Sequence, residues 1–128
     1  MSTDTLNKHE VIAAQNDCVR GALVYPSHQK TCAELGLERK LVWTQGVDAE
    51  FQAKGNWQRI MRAIADFNAF DDDNDPRGER DFFAFEVDGT KMFLKVDYYG
   101  PDLRCGSEDP ADPKQTIRVM TIMLPSEY

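Results

Sequence analysis

The side chains best able to do chemistry crowd into one short stretch, Asp71-Asp72-Asp73-Asn74-Asp75-Pro76-Arg77-Gly78-Glu79-Arg80-Asp81. Oxygen-bearing side chains at short alternating spacing are what a hard divalent cation requires, so the stretch invites comparison with a calcium-binding loop. The spacing does not meet that pattern. Counted from Asp71, Pro76 stands where the loop needs glycine and Phe82 where it needs the closing glutamate. Counted from Asp73, Gly78 is in place, but Arg77 displaces a ligand and Ala84 takes the last position. A looser divalent-cation site built from Asp73, Asp75, Glu79 and Asp81 is one expectation, and a metal-dependent hydrolase or nuclease would follow from it. The competing expectation is local. Asp73 and Asn74 build a turn, Pro76 and Gly78 fix its backbone, and Glu79 and Asp81 bond to loop amides or to Arg77 and Arg80.

Other chemistries find less support. Asp81, Glu86, Lys95 and Asp97 could share one sheet face as a metal and water-activating set, but lysine precedes the acid here, and an ordinary solvated face explains the residues better. The two histidines, His9 and His28, fall in the N-terminal quarter with no pattern that makes either the base of a Ser or Cys nucleophile. No glycine loop cradles a phosphate. His28 and Cys32, four apart, are the closest approach to a zinc pair, and no second pair completes it. Three cysteines, Cys18, Cys32 and Cys105, cannot pair completely, so free thiols in a reducing compartment are expected.

The net charge of −7 is concentrated. Residues 1–65 carry 8 basic and 7 acidic side chains, residues 66–128 carry 7 and 15, and Asp66 to Asp81 alone has seven acids against two arginines. Such a field repels a phosphate backbone and favours a cationic partner. The expected binding residues are Asp71, Asp72, Asp73, Asp75, Glu79, Asp81, Asp97, Tyr98 and Tyr99, in an acidic surface running from Asp66 to Asp81 and on through Asp97 to Asp112. The corresponding function is a non-catalytic interaction protein that docks onto a basic protein surface, without direct nucleic-acid contact and with no cofactor unless a divalent cation.

These residues need elements to position them. At 128 residues with 41% hydrophobic and 29% charged side chains, one folded domain is expected. No apolar run of about 18 residues is present to span a bilayer, and Met1 to Glu10 lacks the basic-then-apolar build of a signal peptide, so a cytoplasmic protein without membrane contact is expected. Apolar residues at three- and four-residue steps predict a helix from Asn7 to Val24, stopped at Tyr25-Pro26. Residues 26–38 are ambiguous. Lys40 to Gln45 reads as a strand, Asp48 to Lys54 as a short helical piece, and Trp57, Ile60, Met61, Ile64 and Phe67 as an amphipathic helix capped by Asn56. Alternation predicts strands at Asp81 to Val87 and Lys91 to Tyr99, joined at Asp88-Gly89, a strong hairpin signal. Gly100 to Pro113 is a long loop. Thr116 to Leu124 is predicted as a strand buried on both faces, with a rival helix start at Asp112-Pro113. The resulting class is α+β: an antiparallel sheet of about four strands packed against two helices, in the order α-β-α-β-β-β.

Several runs resemble a small bacterial family catalogued as a domain of unknown function (3768). They are Ile12-Ala13-Ala14-x-Asn16-Asp17, Asp73-Asn74-Asp75-Pro76-x-Gly78-Glu79-x-Asp81-Phe82, Lys95-Val96-Asp97-Tyr98-Tyr99, Gly106-Ser107-x-Asp109-Pro110-Ala111-Asp112-Pro113, Arg118 to Leu124, and Glu127-Tyr128. Arg80, where the family resemblance suggests histidine, and Phe83, where it suggests a small residue, depart from the pattern. The resemblance implies no activity. It implies a setting, accessory cargo of proteobacterial plasmids, phages and integrating elements, from which an anti-defence role is expected.

Overall fold

The computed structural model describes residues 7–128. The first periodic segment is helix α1, Lys8–Gly21, and Asn7 caps it: its side-chain oxygen accepts the Glu10 amide at 2.9 Å, satisfying a donor that a helix start leaves open. α1 is shorter at its end than the periodicity suggests, because the chain turns before Tyr25. Tyr25 is extended (φ −103°, ψ 122°), as a residue before proline prefers. Pro26 then opens a second helix, α2, Pro26–Leu35, where its missing N–H matters least. The ambiguous segment is therefore mainly helical. The His28 ring lies so close over Gly21 that any side chain there would collide, and the Cys18 and Cys32 sulfurs meet between the helices at 3.3 Å. Burial, reinforced by the Cys32 contact, pushes the Cys18 thiol up to about 12.

Strand β1, Glu38–Trp43, is followed by helices α3, Gln45–Lys54, and α4, Trp57–Asp66; then come β2, Phe82–Val87, β3, Thr90–Tyr99, and β4, Ile117–Met123. At the β2–β3 turn Asp88 and Gly89 both take positive φ (52° and 81°), the conformation a two-residue hairpin of matching twist requires. Single 3-10 turns at Pro113–Gln115 and Pro125–Glu127 complete the chain. The first is all that the Asp112-Pro113 helix start becomes.

The α+β class is as expected, but the arrangement corrects the sequence on several points. The sheet order is β1-β4-β3-β2, with β1 parallel to β4 and the other pairs antiparallel, so the sheet is mixed. A parallel pair needs a long crossover, and the passage through α3, α4 and the hairpin supplies one. Among the described residues the α-helices number four, not two: α2 was hidden by its proline, and α3 is a full helix that begins at Gln45, within the segment expected to be strand. Asn56 does not cap α4 with its side chain; its amide instead donates to Asp88 Oδ2 at 3.0 Å.

All the described helices lie on one face of the sheet. Phe83 and Phe85 of β2, Leu94 and Val96 of β3, and Met120 and Ile122 of β4 meet Val19, Val47, Ile60 and Ile64 in one core cluster. The alternate side chains of β4, Ile117 and Val119, point away from that core and are only half-buried. β4 is thus covered on one face, because the helices that would cover the other are packed together on the first.

Ile64, fully buried on α4, tests this core. Ile64→Ala should lower unfolding free energy by about 2–5 kcal/mol in urea titration, while Gln58→Ala on the exposed side of the same helix stays within about 0.5 kcal/mol. Equal, small effects at both positions would contradict the one-sided core.

Candidate functional site

Two neighbouring side chains of α1 reach the acidic stretch from different sides. Asn16, wholly buried, falls four residues after Ile12 and three before Val19, on the helix's apolar stripe. Its amide nitrogen donates to the Glu79 carbonyl and meets the Tyr98 hydroxyl, both at 2.9 Å, and its oxygen accepts from Arg118 Nε at 2.8 Å. Arg118 comes from the inner side of β4 and is 1% exposed. Its second nitrogen donates to Gln15 Oε1 at 2.6 Å and to the Pro110 carbonyl at 3.1 Å, and the guanidinium sits 5.3 Å from the centre of the Tyr98 ring. Burial lowers the Arg118 pKa and raises that of Tyr98 well above the ordinary phenol range.

Glu79 turns inward to this cluster. Its carboxylate accepts from His9 Nδ1 at 2.7 Å and from the Tyr98 hydroxyl at 3.2 Å. An ionised carboxylate can only accept, so His9 donates from Nδ1 in this contact.

Asp17 reaches the other way, with Arg20 at 2.5 Å and Arg80 at 2.7 Å on its two oxygens. The buried Arg20 also donates to the Ile64 and Phe67 carbonyls at 2.8 and 3.0 Å, closing the end of α4. Phe70 lies between the two cations, 5.4 Å from the Arg20 guanidinium and 5.2 Å from that of Arg80. Phe67 stacks on Phe83 at 4.1 Å. Desolvation lowers the Arg20 pKa against the opposing pull of Asp17. The segment after α4 is thereby pinned by aromatic faces and paired charge.

Between these anchors the loop folds on its own side chains. Asp71 Oδ1 accepts the Asp73 and Asn74 amides, and Asn74 Oδ1 accepts the Asp71 amide, all at 2.9 Å. Asp75 Oδ1 accepts the Arg80 amide at 2.9 Å, which steadies Arg80 in a left-handed conformation of φ 57°. Phe70, Asp71, Asp72, Asp75, Gly78 and Arg80 line a shallow cleft of about 210 Å³.

The residues named from sequence are therefore divided. Asp71, Asp72, Asp73 and Asp75 share the loop. Glu79 and Tyr98 belong to the buried cluster. Asp81 stands at its rim, 2.6 Å from Arg77, and burial raises its pKa despite that arginine. Asp97 and Tyr99 lie on the opposite face of the sheet from Tyr98, Asp97 bridging to Lys95 at 3.1 Å; Glu86 shares that face, and Asp81 does not join it. Among the described residues, no three His, Cys, Asp or Glu side chains are grouped to hold one metal ion. Sequence reasoning passed over His9, Asn16, Asp17 and Arg118 as site residues. A signal existed for two of them: an asparagine on the apolar stripe of α1, and an arginine in phase with Met120 and Ile122 on the inner side of β4.

A family model described as a protein of unknown function (DUF3768) matches residues 43–127. The match takes in the loop, Glu79, Tyr98 and Arg118, and leaves Asn16 and Asp17 before it. No curated protein and no solved structure matches the chain.

Removing the Asn16 amide strands the Arg118 guanidinium and the Glu79 carbonyl in the interior, so Asn16→Ala should cost at least about 2 kcal/mol by denaturant titration. Asp73→Asn, on the exposed loop, should stay within about 0.5 kcal/mol. Asp81 adds a pH signature. Its raised pKa means the folded state keeps that proton to higher pH than the unfolded chain, so its contribution is full below the ordinary carboxylate value. The contribution then declines as pH rises through the interval up to the raised value. Asp81→Asn should flatten the stability curve over that interval, and an unchanged slope would contradict the assignment.

Proposed function

The chain belongs to the DUF3768 family, a family of unknown function, and on that footing we propose that it is a non-catalytic interaction protein. It presents the 71–75 loop as an acidic docking surface to a basic protein. One observation carries this: among the described residues no ion pair reaches Asp71, Asp72, Asp73 or Asp75, while the cations beside them are engaged elsewhere, Arg77 with Asp81 and Arg80 with Asp17. Four carboxylates on a side-chain-braced turn keep a net negative field, six acids against two arginines over residues 71–81, and their geometry is set before any partner arrives. Such a field speeds encounter with a basic surface and makes binding salt-sensitive. Among the described residues no helix is long and apolar enough to cross a membrane. The proposal extends to a cytoplasmic accessory role on a mobile genetic element, with anti-defence as the service and a basic host protein, one whose surface normally grips nucleic acid, as the target.

Metal-assisted hydrolysis by Asp73, Asp75, Glu79 and Asp81 is the second reading. It would require Glu79 to release His9 and Tyr98, and Asp81 to release Arg77, before either could turn to a shared ion.

Asparagine preserves the side-chain acceptor that Asp71 and Asp75 use, so changing all four loop aspartates to asparagine removes charge while leaving the turn's bonds intact. Capture of basic host proteins by the full chain should fall steeply between about 0.05 and 0.5 M salt, and the fourfold variant should lose it even at the lowest salt. A yield indifferent to both changes would overturn the proposal. Thermal unfolding should not shift with magnesium, manganese or calcium; a rise in midpoint abolished by the same variant would favour the hydrolase.

A further inference from the structure

The outer face of the sheet carries a partly exposed apolar band that no described helix covers. Strand alternation and register send Val42 of β1, Ile117 and Val119 of β4, Phe93 and Tyr99 of β3, and Phe82 of β2 to this side. None of the six belongs to the core cluster. Val42 is 43% exposed. Tyr128 lies against the band, 5.4 Å from the Phe82 ring and 5.8 Å from Phe93, and remains 76% exposed. Contiguous apolar patches of this kind mark places where another surface packs.

We propose that two copies of this chain pack here, sheet on sheet, as a two-fold symmetric dimer. The charges on the face single out that occupant. Glu38, Lys40, Glu86, Lys91, Lys95 and Asp97 lie on it, three of each sign, so the whole net charge of −7 belongs to the rest of the chain. The opposite signs are also interleaved. Glu86 faces Lys91 in register across β2 and β3, Lys95 bridges Asp97 at 3.1 Å, and Glu38 stands two residues from Lys40 on β1. A second acidic copy approaching any strongly acidic surface meets repulsion, and on this face it meets none. A strongly charged partner of either sign would find nothing here to complement. A two-fold axis along β4, by contrast, sets Lys40 of each copy opposite Asp97 of the other, so the contact pairs opposite charges on both sides of Val119.

Val119 marks the middle of the contact, with Lys40 on one side of it in register and Asp97 on the other. Facing sheets pack about 10 Å apart with their side chains interdigitated, and β-branched Ile117, Val119 and Thr121 suit that spacing, with Phe93 and Tyr99 beside them. The dimer does not use Asp71 to Asp75, so it stands or falls independently of the acidic docking surface.

Sedimentation equilibrium of the full chain, with reductant present so that the exposed Cys105 cannot cross-link copies, tests it directly. The wild-type protein should show twice the chain mass in the micromolar range. Val119→Lys puts two like charges together at the centre and should give a monomer with an unchanged circular dichroism spectrum. Asp97→Lys sets a lysine against Lys40 of the other copy and should raise the dissociation constant at least about tenfold; adding Lys40→Asp exchanges the pair, returns the face to neutrality and should restore the dimer. A wild-type protein that stays monomeric at every concentration would overturn the inference, leaving the face to a different protein. A dimer indifferent to Val119→Lys would also overturn it, by placing the contact at a strand edge, and failure of the double variant to recover would count against the charge pattern as its cause.

Discussion

The working end of the molecule depends on Asn16 and Asp17, two adjacent residues of α1 whose side chains hold opposite sides of the acidic segment. Asn16 fastens Glu79 to the sheet through Tyr98 and Arg118, and Asp17 fastens Arg80 to the interior through Arg20. Successive positions on a helix point about 100° apart, so one turn of α1 serves both. Were either to let go, a buried guanidinium, that of Arg118 or of Arg20, would lose an oxygen partner, which is a larger penalty than the loss of an ordinary surface bond.

That arrangement sorts the charge. The positive groups near the loop are taken up elsewhere: Arg118 and Arg20 lie buried among hydrogen-bond acceptors, and the more exposed Arg80 and Arg77 are engaged by Asp17 and Asp81. The acids of the 71–75 turn are left facing water. The outer sheet face shows the opposite balance, with its charges cancelled locally around an apolar centre. One chain thus carries a charged surface, proposed to meet a basic partner, and a neutral surface, proposed to meet its own copy.

Much of the fold was legible in local pattern. α1, α4, the two strands of the hairpin and the Asp88-Gly89 turn follow from periodicity and turn chemistry, which are properties of short windows. The helix starting at Pro26 was not, since proline before a polar run reads equally as a stop or as a first turn. The parallel pairing of β1 with β4 was not either, because it joins segments about eighty residues apart through a crossover whose path no local rule dictates. In the site, the exposed loop was readable from Asp71 to Gly78, but its turn is braced by the side chains of Asp71, Asn74 and Asp75 and not, as expected, by that of Asp73. The inward turn of Glu79 was not, because its partners His9, Asn16 and Tyr98 come from distant parts of the chain. Arg118 hid for a related reason: in a run otherwise rich in apolar residues, a lone arginine reads as a solvent-facing position, yet in the fold it falls in phase with Met120 and Ile122.

Hydrogen exchange at single-amide resolution probes most directly whether α1 holds the loop rigid before any partner binds. Asp73, Asn74 and Arg80 donate their amides to Asp71 and Asp75 within the loop; these amides should exchange slowly in the free protein and lose protection in Asp17→Ala while the sheet amides keep theirs. Rapid exchange at all three in the wild-type chain would mean that the loop is not held, and that its carboxylates are no preformed surface at all.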